Sequence, residues 1–217
     1  MTDEAPQRWD TGRVEAFSDG VFAIAITLLV LDIHVDPGAY GDLRHALVHE
    51  WPAYLAYVTS FLTVGSLWIA HHGLFSRLRY VDPVLLRINL LLLLVAAFLP
   101  FPTGVLAEAF HASDAAERTA VAFYGLTALV IELLLRAGVR YAAGKPELHD
   151  PARGAITAPP RRHGAAWFGA LLYGGAILVG LFTFPRLAAA LYLFVAIRGV
   201  LIIGGEGRLG VRGLTRG

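Results

Sequence analysis

Ser18, Asp19, His71 and His72 are the residue types in this chain from which a reactive centre could be assembled. A serine activated by a histidine that a carboxylate orients is the arrangement of a nucleophilic hydrolase. Neither a nucleophile elbow nor a zinc motif surrounds these residues, so an enzyme is not expected. Two adjacent histidines beside a carboxylate also suggest a metal. Neighbours on a helix point about 100° apart, however, so one ion cannot easily take both. The chain contains no cysteine, which excludes disulfides and thiolate ligands. No cofactor and no resident metal are expected.

These polar residues sit among long apolar blocks. The chain is 56% apolar and 16% charged, against roughly 45–50% and 25% in soluble domains. A span needs about 20 apolar residues to cross a hydrocarbon core of about 30 Å. Six blocks qualify: Val14–Ile33, Pro52–Ala70, Ile88–Leu106 (broken late by Pro100 and Pro102), Thr119–Leu135, Ala165–Phe184 and Leu187–Ile203. The fold class is therefore an all-α membrane protein with six transmembrane helices. Glu132 and Arg198 interrupt the fourth and sixth blocks, and the turn at Phe184 and Pro185 suits an antiparallel hairpin. The expected organisation is a cytoplasmic N-terminus (1–12), four spans (13–141), a Pro- and Gly-rich cytoplasmic linker (142–163), two spans (164–204) and a basic tail (205–217).

Basic residues select the side. With the N-terminus inside, fifteen Lys and Arg fall on the inner side and three, Arg44, Arg118 and Arg186, on the outer. Basic loops stay in the cytoplasm, so both termini are expected there and the protein in the plasma (inner) membrane. The outer loops carry Asp36, Asp42, Glu50, Glu108, Asp114 and Glu117, with Asp32 at the outer end of span one. They are either ordinary solvated charges or a surface that concentrates cations. A net charge of +1 suggests no nucleic-acid partner.

The first span is not a plain anchor. Asp19 lies about 9 Å along a helix that starts near Arg13, and its side chain is too short to reach far toward the headgroups. Ionisable groups at such depth need partners or water. Trp68, His71 and His72 close span two at the same level, and Asp82, Arg87 and Asn89 open span three. A polar network of Arg13, Ser18, Asp19, His71 or His72, and Asn89 is the expectation. On the same first span Ile24, Thr27, Leu28 and Leu31 fall at i, i+3, i+4 and i+7, one helix face. Periodicity alone leaves that stripe lipid-facing or packed.

The run Arg13-Val14-Glu15-Ala16-Phe17-Ser18-Asp19-Gly20, followed by "VFAIAITLLVLDI" and by the "WIAHH" of Trp68–His72, resembles the signature of the prokaryotic lysosomal-type potassium channels, the transmembrane protein 175 family. The resemblance implies a potassium-selective leak channel, K+ as the permeating ion, and a homotetramer in membrane lipid whose central pore the first helix lines. Carried over by offset from Phe-Ser-Asp, it implies an apolar constriction at Ile24, a selecting threonine layer at Thr27, and further apolar layers at Leu28 and Leu31. Arg13, Phe17, Ser18, Asp19, Trp68, His71, His72 and Asn89 would hold the inner half of the helix in register. The alternatives are a secondary transporter or cation–proton exchanger, with Asp19 and the histidines carrying protons, and a scaffold or intramembrane enzyme. The inverted repeats and broken midplane helices usual in transporters are not visible in the sequence.

Overall fold

The computed structural model describes residues 8–35, 37–153, 156, 168–182 and 184–209, with the backbone alone at 168 and 202–209. The described chain is almost entirely helical. Helix α1 (Thr11–Leu28) starts where the Asp10 carboxylate accepts the Gly12 N–H at 2.8 Å, an N-cap that satisfies one of the free amides of the first turn. Ahead of it, strand β1 (Trp9–Asp10) pairs antiparallel with β2 (Tyr80–Val81). The first span was expected as one helix to Ile33, but it tightens after Leu28 into a 3-10 turn, Leu29–Asp32. Helix ends commonly do so, as their carbonyls run out of i+4 partners.

A further 3-10 turn (Pro37–Asp42) leads into a short outer helix, α2 (Leu43–His49), which Asp42 caps through the His45 N–H. Helix α3 (Trp51–Phe75) places Pro52 in its first turn, where a missing N–H costs nothing. The third span divides into α4 (Pro83–Phe98) and α5 (Pro100–Ala109). Pro100 cannot donate to the carbonyl of Ala96, which instead accepts from Leu99 at 3.2 Å, and the ladder breaks there. Helix α6 (Asp114–Ala143) has acids in its first turn and Arg140 in its last, matching its dipole. Helices α7 (Phe168–Phe182) and α8 (Pro185–Leu209) join through a turn in which Phe184 N–H bonds the Val179 carbonyl at 2.9 Å.

Among the described residues, four segments are long and apolar enough to cross a membrane: Thr11–Asp32, Trp51–Phe75, Pro83–Ala109 and Asp114–Ala143. The described part of α7 is apolar and shorter. Helix α1 lies at one edge of the bundle on α3 and α4, and the α7–α8 hairpin packs on α6 and α3. The main core gathers Phe22, Val64, Leu92, Leu99, Val121, Tyr124 and Tyr192. Gly125 is a close-approach position: a Cβ there would sit 2.1 Å from the Tyr192 hydroxyl and 2.7 Å from Ile177 Cγ1. Tyr192 is fully buried and tied to the Val121 carbonyl at 3.0 Å, so it cannot swing aside. Gly125→Ala is expected to destabilise the subunit by about 1–3 kcal/mol through overpacking, read as a lower melting temperature in detergent.

Two sequence expectations change. The segment after span four is expected as a Pro- and Gly-rich linker (142–163), but its start is packed. Helix α6 runs on to Ala143, Leu148 and Ile156 are buried against Val14, Leu78 and Leu85, and Arg79 N–H bonds the Leu148 carbonyl at 2.8 Å. An apolar Leu148 among charged residues is enough to dock that stretch onto the α3–α4 connection. The linker's later part (157–167) and the tail from 210 lie outside the described residues. Secondly, Glu117 is no loose loop charge. It is buried and paired with Arg186 at 3.0 Å, tying α6 to the start of α8. The β1–β2 pairing and the docked linker bring the chain before α1, the α3–α4 connection and the end of α6 to one end of the bundle.

Candidate functional site

The buried polar residues of α1, α3 and α4 meet in one chain of hydrogen bonds. Ser18 donates to the Val14 carbonyl one turn back, at 2.8 Å. Its oxygen therefore accepts from the Asn89 amide nitrogen, at 3.0 Å. That fixes the Asn89 oxygen toward His71, whose Nε2 lies 2.8 Å away and must be the donor. All three side chains are buried. Phe22 meets the His71 ring edge-on with centroids 5.2 Å apart, and Phe75 stacks on it at 4.2 Å. Three helices are thus pinned at one depth by groups that have no water to turn to.

A second cluster lies beside it and is more exposed. Trp68 Nε1–H donates to Asp19 at 2.8 Å, and Trp68 stacks on His72 with centroids 6.0 Å apart. His72 Nδ1 approaches the Glu15 carboxylate at 2.7 Å, a close polar contact not aligned for a hydrogen bond. The single expected network is therefore two. Ser18, Asn89 and His71 form the buried one, and Asp19, Trp68, His72 and Glu15 the outer one. Arg13 belongs to neither and is exposed, and Phe17 is 59% exposed. Both sit on the face of α1 that turns away from α3 and α4, so neither can reach them. Glu15 has no partner assigned by its spacing in the sequence. Its place on the His72 face becomes visible once α1 and α3 are docked. Asp82 caps α4 through the Leu85 N–H at 2.8 Å and accepts from the Tyr141 hydroxyl.

Another polar group went unread in the sequence. Ser60 and Thr103 share a hydrogen bond of 2.7 Å, and Ser60 donates to the Tyr124 hydroxyl at 3.1 Å, all buried. The available signal was hydroxyl residues in otherwise apolar spans, with Thr103 one turn after Pro100.

The stripe on α1 lies opposite the buried network. Val14, Ser18, Phe22, Ala25 and Leu29 face the bundle. Ile24 is 61% exposed, Leu28 41% and Leu31 70%, and Thr27 is exposed between them. Ala16, Gly20 and Ala23 share this open side, and a Cβ at Gly20 would meet nothing within 4 Å. Small residues on an open helix face allow close approach of another helix. Thr27 donates its hydroxyl proton to the Ile24 carbonyl at 2.9 Å. Its oxygen keeps lone pairs that can still accept, on a residue that is exposed.

Comparison with known proteins places this geometry. Residues 13–100 match the family described as endosomal/lysosomal potassium channel TMEM175, the stretch that holds the stripe and both polar clusters. A potassium channel of Streptomyces collinus is 44% identical over 173 residues, covering 79% of this chain and 82% of that one. A potassium channel of Chamaesiphon minutus is 43% identical over 143 residues, covering 64% and 70%. The crystal structure of a lysosomal potassium-selective channel TMEM175 homolog from Chamaesiphon minutus superposes with a TM-score of 0.75 at 36% identity, over 89% of this chain and 97% of that one. With four fifths of both chains aligned to the Streptomyces relative, and the motifs of α1 and α3 inside the matched stretch, this chain belongs to the TMEM175 family.

Proposed function

We propose that this chain is the subunit of a potassium-selective leak channel, in which four copies bring the open face of α1 around a common axis. The observation that carries the reading is the two-sidedness of α1: one face is locked into its own bundle by Ser18, Asn89 and His71, while Ile24, Thr27, Leu28 and Leu31 remain uncovered. Relatives named potassium channels, aligned over most of this chain, support the activity. The α7–α8 hairpin would supply spans five and six, and the count of Lys and Arg in the sequence supports both termini in the cytoplasm of a cell whose plasma membrane holds the channel.

Each layer then has a physical task. Four Ile24 side chains form a ring that water barely wets, and an ion crossing it loses hydration without gaining ligands. Four Thr27 hydroxyls, held by their bond to the Ile24 carbonyl, return part of the lost shell. Leu28 and Leu31 narrow the path beyond. The two polar clusters act as scaffolding, keeping the stripe aimed at the axis without touching the ion.

Single-channel recording of purified protein in a K+/Na+ gradient tests this. Voltage-driven unitary currents reversing near the potassium potential are expected, and flux that follows the proton gradient would indicate an exchanger instead. Thr27→Ala removes one acceptor per subunit. If the difference in ligation between the two ions is worth about 1 kcal/mol, the K+/Na+ permeability ratio falls about fivefold. An unaltered reversal potential would remove Thr27 from the filter.

A further inference from the structure

Three of the eight histidines gather on the end of the bundle opposite the polar clusters. His49 closes α2, Glu50 links it to α3, and His111 lies in the turn between α5 and α6. One donor atom from each of His49, Glu50 and His111 lies within 4.8 Å of the others. The His49 and His111 rings stack with centroids 4.7 Å apart, and His45 stacks on His49 at 6.0 Å. Two imidazoles and a carboxylate are borderline donors of the kind zinc takes, three from protein with a fourth position open to water.

The backbone beneath is held in place. Trp51 follows Glu50, Phe110 precedes His111, and these two rings meet edge to face at 5.9 Å. The His111 N–H is bonded to the Glu108 carbonyl at 3.1 Å. The two segments are thus fixed against each other by an apolar contact, while the donors above it remain at the surface: His49 and His111 are exposed and Glu50 half-buried. A tetrahedral ion with bonds of about 2.0–2.1 Å holds its ligands about 3.4 Å apart. Both imidazoles are exposed, and rotation about their side-chain bonds is how the site would close that gap.

We propose that His49, Glu50 and His111 form a binding site for a divalent transition-metal ion, with Zn2+ the best chemical match, which staples the α2–α3 junction to the α5–α6 turn. The site uses no residue of the α1 stripe, and it stands whether or not α1 lines the pore. Under the orientation proposed above it faces the outside, where the ion would add rigidity to the outer ends of spans two, three and four.

The test is calorimetric titration of the tag-free, full-length protein in detergent with ZnCl2, alongside thermal melts with zinc or chelator. Saturation at one ion per subunit is expected, with the melting temperature raised by about 5–10 °C at a hundredfold excess over Kd. His49→Ala and His111→Ala should each weaken binding by at least about tenfold, and both residues are exposed, so folding should survive. His34→Ala, on a separate outer segment, should leave the isotherm unchanged. Co2+ in place of Zn2+ should give the intense visible absorption of a four-coordinate site. Wild-type protein that does not saturate with zinc overturns the proposal, as does an isotherm that survives the paired loss of His49 and His111 or vanishes with His34→Ala.

Discussion

Ile24→Asn is expected to raise potassium current about tenfold at fixed voltage. A ring of isoleucine side chains resists ions because water in a narrow apolar neck has too few hydrogen-bonding partners to stay, and an ion cannot cross without water or substitutes for it. Asparagine is smaller and offers both a carbonyl and an amide, so the neck is wider and remains wet. Lowering the barrier by about 1.4 kcal/mol corresponds to a tenfold rate. In the proposed pore the gain would stop there, because Leu28 and Leu31 would leave apolar layers in series. The substitution also separates the pore reading from its competitor. Ile24 is 61% exposed in the subunit, so it faces either a lumen or lipid. In lipid, an asparagine would lower the yield of assembled protein without raising current. Planar-bilayer recording of wild type and variant at equal protein density decides between them, and unchanged current per assembled channel removes Ile24 from the constriction.

Asn89→Ala is expected to lower subunit stability by about 2–4 kcal/mol while leaving the reversal potential where it was. Asn89 is the middle link: it donates to Ser18 at 3.0 Å and accepts from His71 at 2.8 Å. Its loss strands the buried Nε2–H of His71, a penalty of about 1–3 kcal/mol, and opens a small void besides. The corresponding fall in melting temperature is about 5–10 °C. A paired replacement checks the cause. Asn89→Leu combined with His71→Phe removes both partners and leaves no orphaned donor, so it should recover most of the lost stability. If Asn89→Ala keeps its melting temperature but changes selectivity, the network belongs to permeation and not to scaffolding.

The Glu15–His72 contact shows why such assignments escape a linear reading. Both residues are plain in the sequence, and each has several polar residues at the same depth. Which one it meets depends on the rotation of α1 about its own axis relative to α3, and no local pattern encodes that angle. The same rotation turns Arg13 and Phe17 outward and leaves Ser18 and Phe22 inward. Ser60, Thr103 and Tyr124 were overlooked for a related reason: 43 and 64 residues separate Ser60 from its partners, and only packing shows that hydroxyls on three helices converge.

What this sequence by itself determined is what depends on local composition. It includes the apolar stretches long enough to span, the break at Pro100, the Phe-Ser-Asp and Trp-x-x-His-His motifs that carry the family, and the one-sided spacing of Ile24, Thr27, Leu28 and Leu31. Hydrocarbon imposes those constraints residue by residue, since a span must be apolar over its whole length and satisfy its own backbone. The tertiary structure alone decided which polar groups pair, that Leu148 docks a stretch read as linker, that Glu117 is locked to Arg186, and that His49 and His111 stand ring to ring. Those outcomes rest on contacts between segments far apart in the chain. Their energies depend on helix rotation and depth, which are settled only when all the helices pack at once.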